Sequence, residues 1–140
     1  MSDLSLVRYG GFAAQPGATA LRARLGRECA AQLEHGVHLI VAQGSDGSLV
    51  VGDSHHYSEH ADPFASEAVD ALVLGELRAL FDVAELRVLG RWNGYYPVAE
   101  VAPLISEELA PRVRLVTVTS GTGMSTAFAI GEETIGQLFG

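Results

Sequence analysis

The chain has 140 residues, a formal charge of −8 and 48% hydrophobic side chains, which gives enough apolar material for one domain with its own core and excludes a disordered chain. The acidic balance is offset by no basic cluster, so nucleic acid is not an expected partner. No apolar run reaches membrane-spanning length, the start Met1-Ser2-Asp3-Leu4 lacks the features of a signal peptide, and the single cysteine cannot close an internal disulfide, so a cytoplasmic protein without a membrane partner is expected.

Residues 4–9 alternate well enough for a short strand, closed by Gly10 and Gly11. Gln15-Pro16-Gly17 reads as a turn, with Pro16 near the first position of a helix running to about His35. Leu21, Leu25, Cys29 and Leu33 recur every four residues as its apolar stripe, and Gly36 is a plausible stop. Cys29 lies on that stripe, which suits a small core residue better than a nucleophile. Residues 38–43 and 48–56 read as two strands around Gly44-Ser45-Asp46-Gly47, a hairpin signal.

The second strand ends in Gly52-Asp53-Ser54-His55-His56-Tyr57, followed by Glu59 and His60. A metal there would draw on Asp53, His55, His56 and His60. Adjacent histidines on a strand point to opposite faces, and no second ligand set has metal-site spacing, so no metal is expected. Asp62-Pro63 suits an N-cap followed by proline at the first helical position. Val69, Leu72, Val73, Leu77, Leu80 and Phe81 then mark an amphipathic helix from Phe64 to about Phe81.

A strand is expected to begin at residues 86–89 and to continue through Arg91-Trp92-Asn93-Gly94-Tyr95-Tyr96-Pro97. An arginine and three aromatics around one glycine suit a pocket wall, and equally a core tryptophan with surface tyrosines. Residues 98–111 read as a connection with a break at Pro103 and the acidic Ser106-Glu107-Glu108. Residues 113–119 form a β-branched run that enters Ser120-Gly121-Thr122-Gly123-Met124-Ser125-Thr126, and a helical stretch follows through Phe139. A strand, a glycine turn and a helix start present unpaired N–H groups to an electron-rich partner, at roughly 0.3–1 kcal/mol per contact. Gly121-x-Gly123 has Thr126 where a dinucleotide fingerprint needs its third glycine, and a chain without lysine has no P-loop. A tight connection with a glycine hinge and a ligand loop both fit the turn.

The expected order is β-α-β-β-α-β-β-α, an α+β fold with helices on one face of a largely antiparallel sheet, in a single domain spanning residues 1–140.

Three segments together carry a resemblance. Val51-Gly52-Asp53-Ser54-His55-His56-Tyr57, Arg91-Trp92-Asn93-Gly94-Tyr95-Tyr96 and Thr119-Ser120-Gly121-Thr122-Gly123-Met124-Ser125-Thr126-Ala127-Phe128, in this order and spacing, are similar to the C-terminal part of FAD-dependent oxidoreductases of the D-amino-acid oxidase and glycine oxidase superfamily. The nearest branch is the one associated with phosphonate-metabolism genes. The resemblance implies a substrate-domain-like stretch over residues 1–112 and a flavin-contacting strand–turn–helix over residues 113–140. It implies FAD as cofactor, with Gly121, Thr122, Gly123, Met124 and Ser125 facing the isoalloxazine ring near its C2 carbonyl. Tyr96 falls where glycine-oxidase-like relatives carry a carboxylate-gripping arginine, which turns the expectation away from an ordinary α-amino acid. His55, Tyr57, Arg91, Trp92 and Tyr96 are the candidate substrate contacts, for a small amine or amino-acid-like molecule.

The family opens with a strand and G-x-G-x-x-G, and neither that spacing nor its strand occurs here. Met1 falls inside the expected substrate domain. The expectation is therefore a truncated, excised, split or stand-alone substrate domain that is inactive without a partner bearing the Rossmann half. The alternative is a non-catalytic homo-oligomer that covers the same apolar face with itself.

Overall fold

The computed structural model describes residues 4, 7, 10–60, 62–83 and 85–140. They fall into two compact units, Met1–Trp92 and Asn93–Gly140. Most of the strand expected at residues 4–9 lies outside the described residues; Leu4 and Val7 within it are buried.

In the first unit, α1 (Gly10–Ala13), α2 (Ala18–Glu28) and α3 (Ala30–Glu34) follow one another. Leu25 joins Leu4 and Val7 in a small core, with Leu21, Cys29 and Leu33 packed against it. The four-residue periodicity therefore places the stripe as expected, but the helix is not continuous. Cys29 leaves helical geometry at φ −138° and ψ 41°, which ends α2 and starts α3. The Arg22 guanidinium donates to the Val7 carbonyl at 2.6 Å, tying α2 to the segment before it.

Strands β1 (Ile40–Gln43) and β2 (Leu49–Gly52) form the expected antiparallel hairpin, pairing Ile40 with Gly52 and Gln43 with Leu49. Its turn is held by Asp46, whose carboxylate accepts from the Ser48 N–H at 3.0 Å and the Ser48 hydroxyl at 2.7 Å. Gly47 takes a φ of +84°, the left-handed conformation that glycine adopts without steric cost. Helix α4 (Glu67–Leu80) packs against β2 and buries Val69 and Leu77. It starts three residues later than the expected Phe64. Asp62 closes a local turn instead, accepting from the Phe64 N–H at 2.9 Å, and Glu67 and Asp70 place acidic groups at the positive end of the helix. Gln32 of α3 donates to Glu76 of α4 at 3.1 Å.

The second unit holds β3 (Leu104–Ala110), β4 (Val113–Val118) and α5 (Gly123–Phe139). β3 and β4 are antiparallel, with Leu104 opposite Val118 and Glu108 opposite Arg114. The register shifts between Glu108 and Ala110, leaving Leu109 as an extra residue on β3. This corrects two expectations. Residues 98–111 are not merely a connection, and residues 86–97 hold no strand among the described residues. The aromatic stretch has the composition of a strand but is not in a ladder, whereas the acidic stretch pairs with β4.

The α+β class holds, and among the described residues the pairing is antiparallel. It is distributed over two separate two-stranded sheets, β1–β2 and β3–β4.

Candidate functional site

The connection between β4 and α5 is built from hydroxyls and glycines. Thr119, buried at the end of β4, donates its N–H to the Pro103 carbonyl at 2.9 Å and its hydroxyl to the Ala102 carbonyl. Ser120 shares the Pro103 carbonyl at 3.2 Å and meets the Thr122 hydroxyl at 2.8 Å. The turn thus hangs from the start of β3 by three bonds, which is why a β-branched strand ending in two hydroxyl residues folds this way locally. Gly121 takes a φ of +72°, and a Cβ added there would lie 3.1–3.3 Å from the ring and hydroxyl of Tyr96.

Thr122 is the N-cap of α5, and its side chain makes no capping bond. Its carbonyl receives the Ser125 N–H at 3.1 Å and the Thr126 N–H at 3.2 Å. The amides of Gly123 and Met124 precede these first intrahelical bonds, at the positive end of a 17-residue helix. Gly123 is half-buried, while Thr122, Met124 and Ser125 are exposed. This donor set suits an electron-rich carbonyl edge.

The remaining sequence candidates divide between the units. His55 follows β2; its Nδ1 lies 3.2 Å from the Gly36 carbonyl and its Nε2 lies 3.7 Å from the Asp53 carboxylate. A carbonyl can only accept, so in that contact Nδ1 is the donor, and Nε2 is the nitrogen turned towards Asp53. On the other side of Asp53 stands His38 Nδ1, at 3.9 Å. His38 and Asp53 also exchange both backbone hydrogen bonds, at 2.9 and 2.7 Å. Sequence reasoning missed His38: continuing the β1–β2 register would put Leu39 opposite Asp53, and the His38–Asp53 pair forms only through a one-residue shift just outside the hairpin, which no sequence pattern reports. His35 and His56 approach with ring centroids 5.4 Å apart. Among the described residues no group of three or more such side chains could hold a metal ion.

Tyr57 and Trp92 are exposed. Arg91 is held by two carboxylates of α4, donating to Asp70 and, at 3.4 Å, to Glu67. An incoming anion would have to compete with both. Tyr96, in the second unit, lies against the glycine turn of that unit.

A strand, a glycine turn bonded to its neighbour strand, and the leading amides of a helix make an arrangement whose donors suit an electron-rich group. Over residues 7–136 the sequence matches the family described as FAD dependent oxidoreductase. The chain belongs to that family. No curated protein and no solved structure matches it. For FAD, the donors at the turn fit the carbonyl edge of the flavin ring, whereas the G-x-G-x-x-G spacing that would hold its pyrophosphate is absent from the 140 residues.

Proposed function

We propose that this chain provides the substrate-side and flavin-contacting part of an FAD-dependent amine or amino-acid-type oxidoreductase, and that it works together with a dinucleotide-binding half. The observation that carries the reading is the start of α5: a family match over nearly the whole chain, together with leading helix amides next to a positive-φ glycine. FAD supplies the two-electron acceptor when bound. The amides of Gly123 and Met124 would orient the flavin's C2 carbonyl edge and favour negative charge there. Thr119 and Ser120 keep that turn in place through Ala102 and Pro103.

The dinucleotide-binding half is inferred from the absence of the pyrophosphate-holding spacing and from the apolar side chains of α5, where Met124 and Phe128 are more than nine-tenths exposed. A substrate lacking a carboxylate, such as a simple amine, is favoured over an α-amino acid. Residues 93–140 carry only two cationic residues, Arg112 and Arg114. Both belong to the hairpin between β3 and β4, at the opposite end of β4 from the glycine turn: Arg112 lies over the Phe139 ring and Arg114 pairs with Glu108.

The test is a titration of the isotope-labelled chain with lumiflavin, the ring system alone, followed by amide NMR. Shifts centred on Gly121 to Ser125 are expected. Shifts confined to other residues, or none, would overturn the assignment. In parallel, the 140-residue chain equilibrated with FAD and dialysed is expected to lose its flavin absorbance. Retained colour would mean that the chain holds the whole cofactor by itself.

A further inference from the structure

The Tyr96 ring lies so close to Gly121 that a methyl group placed on the glycine would come within 3.1 Å of Cε2, 3.2 Å of Cζ and 3.3 Å of the hydroxyl. Gly121 also needs its +72° φ to pass from β4 into α5. The two constraints act together. The backbone must turn in the left-handed region, and the ring occupies the side on which any other residue would place its Cβ. Residues 93–99 hold no regular structure, yet the Ala99 N–H donates to the Thr119 carbonyl at 3.2 Å, anchoring the end of this stretch beside the turn. The tyrosine therefore reaches the turn from a segment bonded to the same strand end.

We propose that Tyr96 is a positioning residue for the glycine turn: its ring closes the Cα face of Gly121 and so sets the direction in which the leading amides of α5 point. This rests on the flavin reading of the turn given above. It assigns Tyr96 a role carried by its flat ring and directed at the backbone of the turn.

The test compares the wild type with Tyr96→Phe and Tyr96→Leu. A ring seated on Gly121 displaces the Gly121 α-proton resonances by its ring current, a readout that does not depend on flavin. The displacement should persist in Tyr96→Phe and vanish in Tyr96→Leu. Lumiflavin affinity should be kept by the phenylalanine variant and fall by up to about tenfold in the leucine variant, the size of one aromatic contact. Ordinary Gly121 resonances in the wild type would overturn the contact. Equal lumiflavin affinity in the wild type and Tyr96→Leu would overturn the positioning role and leave the flavin assignment standing. A wild type that does not bind lumiflavin would overturn both.

Discussion

Gly121 and Gly123 stand two residues apart and tolerate change very differently. A Cβ at Gly123 would meet the Val118 side chain at 3.5–3.7 Å, an ordinary contact, and alanine suits the first turn of a helix. Gly121→Ala meets both a positive φ and the Tyr96 ring. In urea unfolding, Gly121→Ala should therefore cost about 1–2 kcal/mol or more, while Gly123→Ala should stay within about 0.5 kcal/mol of the wild type. Cys29 provides a chemical test at the same scale. Burial raises its thiol pKa, and the carboxylates of Glu76 and Glu28 raise it further. Little thiolate is then present near neutral pH. Iodoacetamide should label Cys29 more slowly than an unstructured thiol, and Glu76→Gln should speed the reaction; an unchanged rate would remove Glu76 as a cause. Asp46 is shifted the other way. The side-chain and backbone hydrogen bonds from Ser48 hold its carboxyl below the usual carboxylate range. A depressed carboxyl stabilises the fold above its unfolded pKa and loses that contribution as the pH falls through its folded value. Any stability gap between wild type and Asp46→Ala should therefore narrow as the pH drops below about 4.

Among the elements, α4 is the one with a fully buried anchor. Leu77 faces inward with no exposed surface, so Leu77→Ala should destabilise the first unit by about 2–5 kcal/mol, read as a fall in the urea midpoint. That helix was legible because Val69, Leu72, Val73 and Leu77 repeat with helical period. The β1–β2 hairpin was legible because Gly44-Ser45-Asp46-Gly47 contains its own turn chemistry. The turn before α5 was legible for the same reason: its glycines and hydroxyls are its structure. β3 was not. Ser106, Glu107, Glu108 and Leu109 are all exposed, so the strand lacks the alternation that burial imposes, and its acidic run reads as loop. The reverse error occurred at residues 86–97, where valine, tryptophan and tyrosines have strand propensity but form no strand. The tie between Arg91 and α4 joins residues more than twenty apart, which periodicity does not report, and the break at Cys29 leaves the four-residue stripe unchanged, so the stripe does not show it.

At the scale of the molecule, the notable surface is α5. It carries no buried residue, although Val116, Val118, Ala127, Ile130 and Ile135 line an open groove of about 350 Å³ between β4 and the helix. Met124, Phe128, Ile135 and Phe139 are exposed. Because Phe128 contributes almost no burial, Phe128→Ser should leave the unfolding free energy within about 0.5 kcal/mol of the wild type. Solubility at high concentration should rise with the loss of the apolar side chain. A large drop in stability would mean that the helix face is covered in solution.

The extra residue at Leu109 has a practical consequence. From Leu104 to Glu108 the two strands of the second unit keep one register, and the frame changes only past Glu108, next to the Pro111-Arg112 tip. A length change at the tip can therefore be absorbed locally, while Ala102 and Pro103 continue to face Thr119 and Ser120. The tip is thus a natural handle: a peptide tag or surface tether inserted between Pro111 and Arg112 would immobilise the protein by the end of β4 farthest from its glycine turn.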